Sequence, residues 1–181
     1  MHTLSDVILL SSAIQLEKVG LQHAESLFNH IDRHRDYLSN FMHWPRFTHQ
    51  LNDSQDFIRL CMKEAEQGES LVWAICVAGE AVGTISLNKP IDWQNRTALI
   101  GYWLSPDVQG KGIVTQAVQA VINATQDYFS TYILRCAVHN ERSNNVAQRS
   151  GFVFSHVQEQ AEKIGEIMYA QNIYHKSIVK P

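Results

Sequence analysis

Cysteine is scarce in this chain of 181 residues: there are three, at positions 61, 76 and 136, odd in number and without a Cys-x-x-Cys pair. Such usage excludes a disulfide framework and predicts reduced, buried thiols in a cytoplasmic protein. An excess of positive charge is missing too. Lysine and arginine number 15 against 18 acidic residues, a net charge of −3, and the basic residues are scattered, so direct RNA or DNA binding is not expected. No run of about eighteen apolar residues is present to span a bilayer, and the opening Met1-His2-Thr3-Leu4-Ser5-Asp6 lacks the apolar core of a secretion signal. No membrane association is expected. Repeats, low-complexity segments and linkers are likewise absent, and 45% of the residues are hydrophobic, so residues 1–181 are expected to form one domain with a full core.

What the chain does have is an abrupt change of period within residues 99–122, L-I-G-Y-W-L-S-P-D-V-Q-G-K-G-I-V-T-Q-A-V-Q-A-V-I. The first half is a β-rich apolar run that stops at Ser105-Pro106. In the second half Ile113, Ala117, Val118, Val121 and Ile122 recur at helical spacing. A strand therefore enters a helix through a turn that carries Gly110 and Gly112. The N–H groups of Gly110, Lys111, Gly112, Ile113 and Val114 converge there near the positive end of the helix dipole, a place for a phosphate. Glycine lets such a ligand reach the main chain, while Lys111 is free to face the anion or the solvent. A Walker loop needs Ser or Thr after the lysine, but Gly112 follows Lys111; a dinucleotide fingerprint from Gly110 needs glycine at position 115, which is Thr115. A strand-to-helix connection without a ligand is the plainer alternative.

Taken in order, residues 7–10 and 13–19 read as a hairpin turning at Ser11-Ser12, and residues 21–31 as a helix with Leu21, Ala24, Leu27, Phe28 and Ile31 on one side. A short helix is expected over residues 34–41. His30 and His34 stand one helical turn apart and could pair on a metal, yet no third ligand follows at a convincing spacing, so no metal is expected. In the loop over residues 42–51, Trp44 and Phe47 flank Pro45-Arg46 and either wall a substrate pocket or cap the core. Asn52-Asp53-Ser54 signals a helix running to Glu66, with Phe57, Leu60, Cys61 and Ala65 inward. Strands are expected at residues 70–77, 81–88, 97–104, 133–138, 152–157 and 167–179, with a helix at residues 142–149. An antiparallel meander followed by alternating strands and helices predicts an α/β (α+β) fold, a mixed, mostly antiparallel sheet with helices on both faces.

The turn Gln109-Gly110-Lys111-Gly112-Ile113 resembles the Q/R-x-x-G-x-G/A signature of the GCN5-related N-acetyltransferases (GNAT), with Val114 in place of the usual small last residue. Further segments resemble the RimJ/RimL branch: W-P-R-F at residues 44–47, I-G-Y-W-L at 100–104, N-x-x-S-N-x-V-A-x-R-x-G-F at 140–152 and Q-A-E at 160–162. That branch acetylates protein amino termini, and the combination is most similar to its ribosomal-protein-serine acetyltransferases. The resemblance implies acetyl-CoA as co-substrate, held at its pyrophosphate by Gln109, Gly110, Lys111, Gly112, Ile113 and Val114. Its pantetheine arm would lie on Asn140 and on the main chain of Trp103 and Leu104.

Acetyl transfer to an amine needs the neutral amine, and an α-amino group with a pKa of about 8 is mostly protonated at neutral pH, so a base is required. By resemblance that base is Glu162, in a polar segment read as lying between two strands; Glu141, Glu159 and Glu166 are rivals, and a solvated loop carboxylate is the alternative. Ser143 is the implied donor to the departing thiolate, unless it only caps its helix, and Tyr174, otherwise a substrate-pocket residue, is the alternative donor. No cysteine lies in a motif for an acyl-enzyme, which leaves direct transfer in a ternary complex. The acceptor is a protein N-terminus, with a small amine or a non-catalytic acyl-CoA-binding role as alternatives, and a homodimer is implied by resemblance alone.

Overall fold

The computed structural model describes residues 4–179. Strands β1 (Val7–Leu9) and β2 (Ile14–Lys18) form the expected hairpin, followed by α1 (Ala24–Arg33) and the single turn α2 (Arg35–Leu38). Trp44–Phe47 is a 3-10 turn. Helix α3 (Leu51–Glu66) begins earlier than the Asn-Asp-Ser signal: Asp53 lies inside its first turn, and its carboxylate accepts from the N–H groups of His49 (2.9 Å) and Gln50 (3.0 Å). Then come β3 (Leu71–Val77), β4 (Glu80–Leu87), β5 (Thr97–Leu104), α4 (Ile113–Thr125), β6 (Thr131–Ala137), α5 (Glu141–Arg149), β7 (Val153–Ile164) and β8 (Ile167–Ser177).

The eight strands make one sheet in the order β1-β2-β3-β4-β5-β6-β8-β7, antiparallel at every junction except β5–β6. That parallel junction is short. It pairs Thr97 with Thr131 through Ile100 with Leu134, while β5 stays on β4 as far as Leu104 and β6 stays on β8 as far as Ala137. Beyond Ile100 and Leu134 the two strands part, and a slot opens in the middle of the sheet.

Main-chain parity decides what faces this slot. Asn88 N–H donates to Leu99 O (2.8 Å) and Ser105 N–H to Val82 O (2.8 Å), so odd-numbered residues of β5 bond to β4 and the main chain of Tyr102 and Leu104 turns to the opening. On the far bank Val138 N–H donates to Ala170 O (3.0 Å) and Ile178 N–H to Ser130 O (2.8 Å), which turns Arg135 and Ala137 to the opening. Trp103 is thereby committed to Thr84, its register partner on β4.

Side chains sort to the two faces by the same alternation. Ala98, Ile100 and Leu104 join Ala117, Val118, Val121 and Ile122 of α4 and Ala147 of α5 in one core; Trp103 joins Leu27, Ile31, Ile58 and Cys61 of α1 and α3 in the other. Every residue of the expected α4 stripe is buried. The α3 stripe differs: Phe57 (48% exposed) and Leu60 (53%) face solvent, and Ser54, Ile58 and Cys61 face the sheet. The polar segment around Glu162 also differs, for it lies within β7 rather than in a loop, and the connection to β8 is only the tight turn at Gly165.

Candidate active site

Loop conformation accounts for both glycines of the turn. Gly110 (φ +78°) and Gly112 (φ +72°) lie in the left-handed region, where a side chain would be strained although space is open around Gly110. Gly112 leads directly into α4. The first helical bond runs from Gln116 N–H to Gly112 O (3.1 Å), so the N–H groups of Ile113, Val114 and Thr115 have no partner within the helix. Val114 packs toward the core and leaves the loop uncrowded, and Lys111 is exposed. Gln109 is a brace: its Nε2 donates to Leu104 O (2.8 Å), and its Oε1 accepts from Tyr37 Oη (3.1 Å) and from Arg142. The loop is thus tied to the end of β5, to α2 and to α5.

On the α4/α5 face of the slot, Asn140 caps α5 by accepting from Ser143 N–H (3.2 Å), so Ser143 is not the cap and its hydroxyl is released for other contacts. That hydroxyl lies 2.8 Å from Tyr102 Oη and 3.2 Å from Cys136 Sγ. Burial pushes the Cys136 thiol up to about 11, which keeps it protonated and a poor nucleophile; burial raises Tyr102 as well. Tyr174 is turned away from the face that carries Glu162. Its even position on β8 turns it to α5, where it is buried and donates to Asn144 Oδ1 (2.7 Å), and burial pushes its phenol upward. Asn144 also accepts from Asn172 (2.8 Å) and donates to Ala137 O (3.0 Å) and Asn140 O (2.8 Å), a saturated polar hub.

The opposite, α1/α3 face carries the acidic candidate. β7 bulges between Gln158 and Glu162, with Gln160 at φ +46°, and the bulge sets Glu162 opposite Tyr169. The Glu162 carboxylate accepts from buried Gln171 Nε2 (2.6 Å), and Gln171 is the register partner of Ala137 at the bank of the slot. Glu162 is half-buried, whereas Glu141, Glu159 and Glu166 are exposed. From Tyr169 an aromatic row crosses the molecule. Tyr169 lies tilted against His139 (4.4 Å between centroids), His139 stacks on Phe41 (5.7 Å), and Phe41 meets Tyr37 edge-on (5.5 Å). Trp44 packs edge-on against Trp103 (5.7 Å), while Phe47 is 62% exposed and touches only the His43 ring among aromatic neighbours in the described residues. The loop with Trp44 leans on the β7–β8 turn, for Gly165 N–H donates to His43 Nδ1 (3.3 Å) and a Cβ at Gly165 would fall 2.5 Å from Arg46.

Glu162 and Ser143 therefore stand on opposite faces of the sheet: Ser143 meets Tyr102 of β5 and Cys136 of β6, and Glu162, out on β7, is linked toward the bank of the slot through Gln171 of β8. The main chain of Leu104 faces that opening, and that of Trp103, expected there too, does not; the indole of Trp103 serves the second core instead. Sequence motifs do not mark Tyr102, Gln171 or Arg142 as site residues, and Cys136 figures there only as one of three buried thiols. For Tyr102 the signal was present, since alternation along β5 puts it on Leu104's side.

Residues 14–153 match the acetyltransferase (GNAT) domain family. Over 177 residues, 97% of this chain and 98% of its relative, the sequence is 30% identical to the ribosomal-protein-serine acetyltransferase of Escherichia coli strain K12. Among solved structures, the microcin C7 self-immunity acetyltransferase MccE, in complex with acetyl-CoA and AMP, is similar with a TM-score of 0.90 and 35% identity, over 93% of this chain and 94% of that one. The ribosomal L7/L12 alpha-N-protein acetyltransferase RimL, in complex with coenzyme A, is similar with a TM-score of 0.91 and 25% identity, over 95% and 98%.

Proposed function

From the premise that this chain belongs to the acetyltransferase (GNAT) family and is an acetyl-CoA-dependent N-acetyltransferase, we propose that it acetylates the α-amino group of a protein N-terminus, a ribosomal protein with N-terminal serine first among them. The observation that carries the reading is the slot between β5 and β6, with the unpaired first N–H groups of α4 following the end of β5 and the Glu162 carboxylate linked to the far bank through Gln171.

In this reading the N–H groups of Ile113, Val114 and Thr115, at the positive end of α4, hold the diphosphate, with the loop shaped by Gly110 and Gly112 and braced by Gln109. The main chain of Tyr102 and the N–H of Leu104, whose carbonyl is taken by Gln109, face the pantetheine arm, and Leu104 N–H polarises the thioester carbonyl. Glu162, steadied by Gln171, takes a proton from the incoming ammonium directly or through a water. The amine nitrogen then bonds to the acetyl carbon, the carbon–sulfur bond breaks, and Ser143 with Tyr102 supplies a proton to the thiolate. With the Cys136 thiol at about 11, transfer is direct rather than through an acyl-enzyme. Trp44, Trp103 and the Tyr169-His139-Phe41 row wall the acceptor side. A cytoplasmic location and a homodimer belong to the same proposal.

A second acceptor class, a small amine such as an antibiotic, polyamine or amino acid, is favoured by the 35% identity to the microcin acetyltransferase, whose complex holds AMP beside acetyl-CoA. A panel of serine-, alanine- and methionine-started peptides alongside small amines, followed by release of free coenzyme A, separates the two. Turnover confined to small amines would overturn the N-terminal assignment.

A further inference from the structure

Two groups of metal-ligating side chains lie away from the slot. In the first, Glu17, His23 and Cys76 bring ligand atoms within 4.8 Å of one another. Gly20 N–H donates to His23 Nδ1 (3.1 Å), so the proton of the neutral ring sits on Nε2 and points to Glu17 Oε2 (3.0 Å). Neither ring nitrogen has a lone pair to spare, and burial pushes the Cys76 thiol up to about 12. This group is a hydrogen-bonded network.

The second group is His30, His34 and Asp107, also within 4.8 Å of one another. Its chemistry differs in one respect. Glu80 Oε1 lies 2.9 Å from His30 Nε2, and a carboxylate can only accept, so Nε2 carries the ring proton and Nδ1 accepts from the buried Ser105 hydroxyl (2.8 Å), a bond that an ion must displace but whose donor, unlike a backbone N–H, can rotate away. An imidazole whose far N–H is held by a carboxylate is the arrangement that orients a metal ligand. His34 Nε2 is shielded from solvent and 2.9 Å from Asp107 Oδ1, yet it is not aligned for a hydrogen bond with it. His30 Nδ1 is 3.6 Å from Asp107 Oδ2. A tetrahedral ion with ligands at about 2.0–2.1 Å has edges of about 3.3 Å, and both distances bracket that value. The competing cation, Arg33 at 2.9 Å from Asp107 Oδ2, is an exposed side chain in a solvated pair that a divalent ion displaces.

We propose that His30 Nδ1, His34 Nε2 and the Asp107 carboxylate form a binding site for a divalent transition metal of the zinc type, with water completing the shell on the open side. Two imidazoles and one carboxylate select zinc, cobalt or nickel over magnesium or calcium. The site stands apart from acetyl transfer, but it joins the end of α1 to the 3-10 turn Pro106–Val108 that leads into the diphosphate loop.

The test uses the full chain in equilibrium dialysis against Zn2+, with bound metal counted by atomic emission, and then Co2+ in its place with its visible absorption recorded. One ion per chain and the intense spectrum of low-coordinate Co2+ are expected. His34→Ala and Asp107→Asn, both at positions with partial exposure, should each weaken binding by about 10–100-fold with the circular dichroism unchanged. His23→Gln should leave binding as it was. Zn2+ retention below one-half ion per chain at about 100 μM metal, or binding that both variants keep, or binding that His23→Gln removes, overturns the proposal.

Discussion

The two ends of the proposed site are built from different materials. At the end proposed for the diphosphate the groups on offer are main-chain N–H donors, and the Gln109 side chain holds the loop in place. At the end proposed for the acceptor the groups on offer are side chains brought from β7, β8, α2 and the loop around Trp44. A backbone site depends on conformation and tolerates substitution; a side-chain site fails when one group is removed.

The largest effect should come from Glu162→Gln, which keeps the bond to Gln171 possible but removes the proposed base: kcat is expected to fall by about 10²-fold or more, with KM for acetyl-CoA nearly unchanged. An unaltered kcat would move the base elsewhere and remove the contrast. Next is Gly83→Ala. Its added Cβ would lie 2.2 Å from Trp103 O and 2.9 Å from Leu104 Cα, both backbone atoms, so β4 and β5 must separate; a loss of about 2–4 kcal/mol in urea unfolding is expected. Gly112→Val forces a β-branched residue to φ +72° and should raise KM for acetyl-CoA about tenfold, whereas Lys111→Ala next to it should change KM by less than about threefold. If lysine matters more than glycine, the loop binds by charge and not by conformation. Tyr174→Phe removes one of two donors to Asn144 Oδ1 and should cost about 1 kcal/mol of stability while activity persists.

The smallest effect concerns pH. The hydrogen bond from His23 is the main cause that holds Glu17 below the usual carboxylate range, helped by Gln15. A depressed carboxylate stabilises the fold fully above its unfolded value of about 4.3 and loses that stabilisation as pH falls through the folded value. Glu17→Gln should therefore flatten the acid limb of the stability curve below about pH 4.5, read from urea midpoints between about pH 3 and 6. An unchanged acid limb would show that this network is not linked to folding.

Periodicity revealed α4 because one face of that helix is wholly apolar and wholly buried. In α3 it misled, since Phe57 and Leu60 are as apolar as the residues that do pack, and only the position of the sheet selects the stripe of Ser54, Ile58 and Cys61. The strand expected at residues 152–157 covers the first half of β7, but its continuation to Ile164 escaped because it is an outer strand, exposed on nearly every residue, with no alternation to read. Sequence resemblance pointed to Glu162 and Ser143, but that they occupy opposite faces depends on the bulge at Gln160 and on strand register, which are properties of pairing and not of any local stretch. Asp107 was invisible as a companion to His30 and His34 for the same reason, being distant along the chain and adjacent only once β5 is laid beside α1.

The parting of β5 from β6 makes the resting enzyme a sheet with one member left out. An ordinary outer edge invites other chains to aggregate on it, but this edge is flanked on both sides by strands of its own molecule, so a slender ligand can enter and a folded neighbour cannot. Amide deuterium exchange at Tyr102, Leu104, Arg135 and Ala137 should accordingly be fast in the free protein and slow once acetyl-CoA is added, a direct reading of how far a bound ligand completes the hydrogen bonding of this edge.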